Sequence, residues 1–336
     1  MNSKIVPIQL RLLGLIHDQI PDKFSYVNEL SELLHISSDS VYRRLRGETL
    51  LNINEIQDLC LHYNISFDSV CGLENTGLVS FQYEPVKGAE TFISYLTSMR
   101  DVLKNLEQKG NAHIIYAAID IPILHNFRFP LVSFFKSFYW LKSVSNFPGF
   151  REVKFSRKIL KTEFIELGKE INEFYCKIPS TEIWTDLILN ALLKQIDYYW
   201  DSGEFNSRED ALELLEEVEK EFEYMQAAAA ACAKNPNIKA PSGKTANFQV
   251  YLCEIEISNN CILIQDGPNK SAYLSTHTFN KMVTSNLVFT EETQRWMDSL
   301  LAKSTLISGI GEKQRSIFFR NAQDKINQLR QKIHSN

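Results

Sequence analysis

Between Leu30 and Gly47 the apolar positions fall into two short helical stripes with a turn between them. Leu30, Leu33 and Leu34 stand at i, i+3 and i+4, the spacing of one buried face on a first helix that ends near His35. Ile36 then plugs the turn. Ser37 and Ser38 are preferred helix caps, because a hydroxyl accepts one of the amide hydrogens left over at a helix start. Val41 and Leu45 resume the apolar stripe four residues apart. The opposite face carries Ser38, Asp39, Tyr42, Arg43 and Arg46. Gly47 predicts the stop, since a left-handed residue costs least without a β-carbon.

Farther along, a helix is predicted over Thr91 to Gln108, with Phe92, Tyr95, Leu96, Met99, Val102, Leu103 and Leu106 on one side. Ala112 to Leu124 is a continuous, isoleucine-rich apolar run that reads as a buried central strand. Phe127 to Val144 holds seven aromatic residues. Pro130 suits a first helical turn, and Leu131, Phe134, Phe135, Phe138 and Leu141 keep helical spacing. A buried amphipathic helix is the preferred reading, over an aromatic pocket for an apolar effector or a membrane-surface helix. An acidic helix is expected from about Ser207 to Cys232. Leu215, Val218, Phe222 and Met225 form its seam, which suits packing within its own domain or a dimer contact.

After a loop from Asn235 to Gly243 the period drops to two. Asn247 to Ser258 and Asn260 to Gly267 look like paired strands joined through Asn259 and Asn260, with Ser271 to Thr276 as a third. Helices near Thr290 to Ala302 and Glu312 to Ile333 close the chain.

The pattern breaks between Gly72 and Gly88, which gives residues 1–73 as one domain, 74–90 as a linker and 91–336 as a second domain, with a subdivision allowed near 235–246. The expected fold class is an N-terminal all-α helix-turn-helix bundle followed by a larger, helix-rich α/β or α+β domain.

The segment LSELLHISSDSVYRRLRG and its surroundings, Ile8 to Val70, resemble a helix-turn-helix domain of the lambda-repressor or Cro kind, the XRE type of bacterial regulator. The resemblance implies a first helix at about Ile8 to Ile20. It implies a later helix whose apolar face is Ile53, Ile56, Leu59, Cys60 and Tyr63, and a short last helix within NISFDSV, capped by Ser66 with Phe67 and Val70 inward. It further implies double-stranded DNA as partner, with the second motif helix in the major groove. On that basis Arg43 is the candidate for the acceptor edge of guanine, Ser38 for several bases, and Asp39 for a cytosine amine. Arg44 and Arg46 are candidates for phosphate, and Tyr42 suits either role. Family members often carry Gln near the start of the first motif helix. Here that neighbourhood is Tyr26, Val27 and Asn28, and Asn28 is the candidate substitute.

Charge qualifies this picture. Residues 1–71 hold six basic against nine acidic side chains, a net charge of −3. Phosphate neutralisation supplies most non-specific DNA affinity, so one copy of the domain is expected to bind weakly and a homodimer is expected. The larger domain has basic stretches at Arg128 to Lys161 and Lys303 to Lys332, placed to hold an anionic effector, touch flanking DNA or answer the acidic helix between them.

Chemistry is thinly represented. The six cysteines lack any C-x-x-C pair and read as buried thiols, with Cys253 and Cys261 facing each other across the expected hairpin. SGIGEKQ, Ser308 to Gln314, has two glycines before a helix, the outline of an anion site, but no Walker lysine-hydroxyl pair. His277 and Lys281 lack the spacing of phospholipase-like nucleases, and the remaining histidines are isolated in sequence. No catalytic residue, metal ligand or cofactor is assigned. No leader-like segment or membrane span stands out, so the expected location is cytoplasmic, with no membrane insertion. The function expected is a sequence-specific DNA-binding transcriptional regulator, with a C-terminal domain that senses an unknown effector or protein partner, dimerises, or both. The alternatives are a protein-docking module and an enzyme addressed to DNA.

Overall fold

The computed structural model describes residues 7–20, 23–63, 65–71, 78–83, 85–86, 89–236, 247–276 and 280–335. The chain forms two compact units, Met1–Ser80 and Phe81–Asn336.

The smaller unit is helical: α1 (Ile8–Gln19), α2 (Lys23–Leu33), α3 (Ser38–Leu45), α4 (Ile53–His62) and α5 (Phe67–Cys71). Its core is one cluster to which each helix contributes, including Leu12 and Ile16, Tyr26 and Leu30, Val41, Leu59, and Val70. Buried polar groups tie this cluster together. The Gln9 amide donates to the carbonyls of Arg44 (2.8 Å) and Thr49 (2.9 Å) and accepts from the Leu51 amide (2.8 Å). One α1 side chain thereby fixes the chain that leaves α3, at a site where unpaired backbone groups would be costly.

The larger unit is built on an eight-stranded mixed sheet in the order β1-β7-β6-β5-β2-β3-β4-β8. Its strands are β1 (Gln82–Tyr83), β2 (Ala112–Ala117), β3 (Ser180–Trp184), β4 (Phe248–Leu252), β5 (Cys261–Asp266), β6 (Asn269–Thr276), β7 (Asn280–Thr284) and β8 (Thr305–Leu306). The helices are α6 (Ala89–Lys109), α7 (Ile123–Asn126), α8 (Pro130–Tyr139), α9 (Thr162–Lys177), α10 (Asn190–Asp201), α11 (Arg208–Ala231), α12 (Leu287–Ala302) and α13 (Glu312–Ser335). β2, β3 and β4 are parallel, joined through α7 to α9 and then α10 and α11, the long connections that parallel pairing needs. The other pairings are antiparallel.

Alternation along the strands assigns the two faces. Ile114, Tyr116, Glu182, Trp184, Phe248 and Val250 share one face by register, and these positions meet the large clusters formed with α6, α8, α9, α10, α11 and α13. Ile115, Ala117, Ile183 and Leu263 face the other way and pack with Met297 and Leu300 of α12. Among the described residues no helix is long and apolar enough to cross a membrane.

Several expectations change. The two predicted strands after the loop do not pair: β5 lies between β2 and β6, whereas β4 lies between β3 and β8. The hairpin is β5–β6, turning at Gly267 and Pro268, and Asn259–Asn260 is instead part of a crossing connection. Cys253 and Cys261 consequently do not face each other across a hairpin, although both are buried thiols of the α12 cluster. The run from Ala112 leaves the sheet after Ala117 and turns into α7.

The expected linker 74–90 holds an edge strand of the sheet, because Gln82 and Tyr83 pair with Val283 and Met282 of β7, and its end is already the start of α6. A two-residue strand is too short to leave a periodic signal. Strands on both sides of 235–246 belong to one sheet, so no subdivision exists there. α12 is opened by Asn286, which accepts from the Phe289 amide, and not by Thr290.

The aromatic segment is core. Phe135, Phe138 and Trp140 are buried, α8 continues into a π-helical turn at Trp140–Val144, and rings of Phe135, Phe138, Phe155, Tyr199 and Phe205 pack edge to face or stacked. The seam of α11 is likewise spent within the chain: Leu215, Val218, Phe222 and Met225 are buried in the same cluster as Phe318, Phe319, Ala322 and Ile326 of α13. They are not available as a dimer contact. The carboxy-terminal basic stretch does answer the acidic helix, through Arg330 and Glu219 at 2.6 Å.

Candidate nucleic-acid interface

The geometry of α3 begins at its cap. Ser37 is extended and its hydroxyl accepts from the Ser40 amide at 3.4 Å, so Ser37, and not Ser38, is the N-cap. The turn before it is held by His35 in a left-handed conformation (φ 53°), by the Ile36 amide donating to Ser31 O, and by the Ser31 hydroxyl donating back to Ile36 O at 2.5 Å. At the far end Gly47 takes φ 73°, and the Glu48 amide closes onto Arg43 O at 2.9 Å.

With Val41 buried and Leu45 half-buried, the opposite side of α3 is presented outward. Ser38, Asp39, Tyr42, Arg43 and Arg46 are all exposed, Tyr42 at 40%. Asp39, Tyr42, Arg43 and Arg46 stand at i, i+3, i+4 and i+7, so they form one continuous stripe on the helix surface. Asn28 is exposed on α2.

The three arginines differ. Arg44 turns inward: its Nη2 donates to Glu55 Oε1 at 2.7 Å and its Nη1 to Ser40 O at 3.3 Å, with side-chain exposures of 14% for Arg44 and 12% for Glu55. Glu55 also closes the capping box of α4, where Asn52 Oδ1 accepts from the Glu55 amide and Glu55 Oε2 from the Asn52 amide. Arg44 therefore joins α3 to α4, and its assignment as a phosphate contact does not fit this geometry. Arg46 is exposed and forms a bidentate pair with Glu48, at 2.6 and 2.9 Å. That hydrogen bonding raises the arginine pKa and lowers that of the carboxylate. Arg43 forms no ion pair among the described residues.

The larger unit holds a polar cluster that linear reading missed. Glu182 on β3 is fully buried, and three donors converge on its carboxylate: His125 Nε2 at 2.8 and 3.0 Å, Trp184 Nε1 at 2.8 Å, and the Tyr175 hydroxyl. Burial alone would raise the Glu182 pKa, but His125, Tyr175 and Lys234 outweigh it and hold the carboxyl below its ordinary value. Lys234 is itself buried, donates to the Tyr175 and Ile178 carbonyls at 2.8 and 2.5 Å, and is pulled down by burial to about 7. Nearby on α11, Glu221 accepts from Asn126 Nδ2 at 2.8 Å, and burial pushes its carboxyl up to about 8. These buried groups pin β3 to α7, α9 and the segment that follows α11. His125 and Glu182 are 57 residues apart, so only the parallel β2–β3 crossover brings them together.

The other sequence candidates resolve as structure. In SGIGEKQ, Ser308 Oγ accepts from the Val250 amide, and Arg315 donates to the Ile307 and Gly309 carbonyls. Gly311 is required because a β-carbon there would sit 2.2 Å from Leu306 O. His277 lies outside the described residues, whereas Lys281 is on β7.

No protein-family model matches the chain, and neither a curated protein nor a solved structure does.

Proposed function

We propose that this chain is a sequence-specific, DNA-binding transcriptional regulator that acts as a homodimer, with α3 as its reading helix and the larger unit as the domain that senses a signal. One observation carries the reading: a helix anchored by Val41 and capped by Ser37 turns a continuous stripe of Asp39, Tyr42, Arg43 and Arg46, flanked by Ser38, toward solvent. Those side chains are the types that pair with base edges and phosphates, and a helix is the element that fits the major groove. Arg43 is the base-reading candidate and Arg46 the phosphate candidate, the latter exchanging Glu48 for a phosphate. With Arg44 committed to Glu55 and a net charge of −3 on residues 1–71, a single copy has little phosphate-neutralising power. Two copies on a two-half-site operator supply the rest.

The test is selection of random duplex DNA on the full-length protein at about 0.1 M salt, beside the Arg43→Ala/Arg46→Ala variant. A two-fold symmetric site enriched by the parent and lost in the variant is the expected result. Losing one bidentate arginine alone costs about 1–3 kcal/mol, so Arg43→Ala by itself weakens the selected site about 5- to 150-fold.

A second reading, a protein-docking bundle, draws on Leu50, Ile53 and Leu61. These are 77%, 72% and 73% exposed on or beside α4. Absence of enrichment from either protein would favour it, and Leu61→Asp would then abolish partner capture.

A further inference from the structure

The larger unit contains a cavity of about 670 Å³ between α6 and the sheet that none of the preceding chemistry uses. The strand register orders its lining. Ile114 stands against Ile264 in one row, and Tyr116, Ile262 and Tyr273 form the next row across β2, β5 and β6. Beyond them the lining turns polar: Ser275 faces Lys281 across β6 and β7, the Ser275 amide donates to Asn260 O at 3.3 Å, and Asp120 follows the end of β2. α6 runs along the same gradient. Its Tyr95 ring lies 5.5 Å from the Lys281 ammonium, its last residue Lys109 pairs with Asp266 at the opposite end of β5, and between these Met99, Val102 and Leu103 line the cavity. One end is thus apolar and the other polar, in a volume that suits one small ligand.

At the polar end donors outnumber acceptors. Among the described lining residues the charges are two ammonium groups, Lys136 and Lys281, and one carboxylate, Asp120. Asp120 is already engaged, accepting from Lys136 Nζ at 2.7 Å and from Asn260 Nδ2 at 2.9 Å. Lys281 donates to the Ser98 hydroxyl at 3.4 Å. The hydroxyls of Tyr95 and Tyr116 make no hydrogen bond among the described residues, although Tyr116 is only 4% exposed, and neither is closed off from the cavity. Burial raises the pKa of both, with Asp120 and Glu182 adding to the rise at Tyr116, so each phenol keeps a proton to donate. Such an end complements an anion.

We propose that this cavity binds one amphipathic monocarboxylate, its apolar chain lying between α6 and the Ile114–Ile264 row and its carboxylate accepting from Lys281 and from the Tyr95 and Tyr116 hydroxyls. The apolar chain matches walls of isoleucine, leucine, valine and methionine. Charge-assisted hydrogen bonds offset the cost of taking the carboxylate out of water, and the ligand shares the Lys281 ammonium with Ser98, as three N–H donors allow. One bound carboxylate brings the described charges to two of each sign, whereas a cationic head would add a third ammonium. Under the proposed function this molecule is the signal of the sensing domain, but the site lies wholly within the larger unit and its occupancy does not depend on DNA binding.

The test is calorimetric titration of decanoate into the full-length protein at neutral pH without DNA, so that its outcome is separate from that of the operator selection. Saturable binding at one equivalent per chain is expected. Decan-1-ol, with the same chain and no charge, and decylammonium, with the opposite charge, are each expected to bind at least about tenfold more weakly. Lys281→Met is expected to weaken decanoate at least about tenfold and to leave decan-1-ol unchanged, and Tyr116→Phe to weaken decanoate about three- to tenfold, the loss of one hydrogen bond. Met99→Trp, which fills the cavity from α6, is expected to weaken decanoate at least about tenfold. Should Met99→Trp lose its near-ultraviolet circular dichroism, Ile262→Phe takes its place. Absence of saturable decanoate binding to the folded parent, or the same affinity in parent and filled variant, overturns the site. Decan-1-ol or decylammonium binding as tightly as decanoate, or an unchanged affinity in Lys281→Met or Tyr116→Phe, overturns the assigned head group and its contacts.

Discussion

Glu221 offers the sharpest quantitative test of the larger unit. It is fully buried on α11, hydrogen-bonds through one oxygen to Asn126, and leaves Oε2 without a partner among the described residues. Burial is the main reason its carboxyl is pushed from 4.5 to about 8. Glu217 adds to the rise, and Asn126 and Lys136 oppose it. Between those two values the unfolded chain has lost the proton that the folded chain keeps. Stability therefore falls as pH rises through that window, is unaffected by this group below about 4.5, and falls no further above about 8. At about 1.4 kcal/mol per pH unit, the full window is worth about 5 kcal/mol. Glu221→Gln keeps an acceptor for Asn126 and removes the ionisation. The variant should match the parent to within about 1 kcal/mol near pH 5 and gain on it by about 4 kcal/mol by about pH 8.5. Urea unfolding followed by tryptophan fluorescence measures this directly, because Trp140, Trp184, Trp200 and Trp296 all lie in the larger unit. Stability curves for parent and variant that run parallel across that range would refute the reasoning, since they would mean that Glu221 is already ionised in the fold.

The other predictions test the assignments made from packing. Arg44→Ala removes the Glu55 pair and the Ser40 contact at a mostly buried site, so α3 and α4 should lose about 1.5–3 kcal/mol of local stability, read as faster amide hydrogen exchange confined to the smaller unit. If exchange there is unchanged while DNA affinity falls, the structural role given to Arg44 is wrong. Phe222→Asp should unfold the larger unit and not yield a folded monomer, because the ring is 3% exposed and packs on Phe319. Sedimentation together with circular dichroism distinguishes the two outcomes. Tyr175→Phe removes one of the three donors on Glu182. The stability tied to that carboxylate's lowered pKa is present above the ordinary carboxylate range and lost on acidification, so acid unfolding should begin at higher pH in the variant.

What was legible in the sequence follows from how far apart the interacting residues lie. Helices announce themselves locally: α6, α11 and α13 lie within about two residues of the bounds expected from the sequence, and α11 begins and ends next to its expected limits, Ser207 and Cys232. Sheet order did not, because strand pairing joins segments that are distant in sequence. Cys261–Asp266 has the same alternation whether it pairs with β4 or with β2, and nothing between Asn259 and Asn260 distinguishes a hairpin from a crossing. The Gly267–Pro268 turn was the local clue that the partner followed rather than preceded, since glycine and proline side by side mark a reversal. The Glu182 cluster and the cavity left no local sign for the same reason. His125, Tyr175 and Glu182, like Met99, Ile262 and Gln195, meet only after the sheet is assembled.

The candidate reading helix shows the opposite case, in which the signal is local to the helix itself. Successive residues on a helix are rotated by about 100°, so Arg43 and Arg44 cannot share a role even though they are neighbours. Val41 and Leu45 define the inward side, and Arg44 stands three residues after the first and one before the second, at the edge of that side. From there its long side chain reaches along the bundle to Glu55. Arg43 stands with Asp39 and Arg46 on the far side and finds no carboxylate within ion-pair distance among the described residues. Glu55 and Glu48 each pair with an arginine of the motif, which leaves the outward side of α3 with less positive charge than the motif's three arginines suggest. Under the proposed function, a helix so balanced would rely on geometry and on a second copy more than on bulk attraction to phosphate. Its affinity should fall less steeply with salt than that of a helix with all three arginines free, with a log–log slope shallower by about 0.9 for each arginine held back.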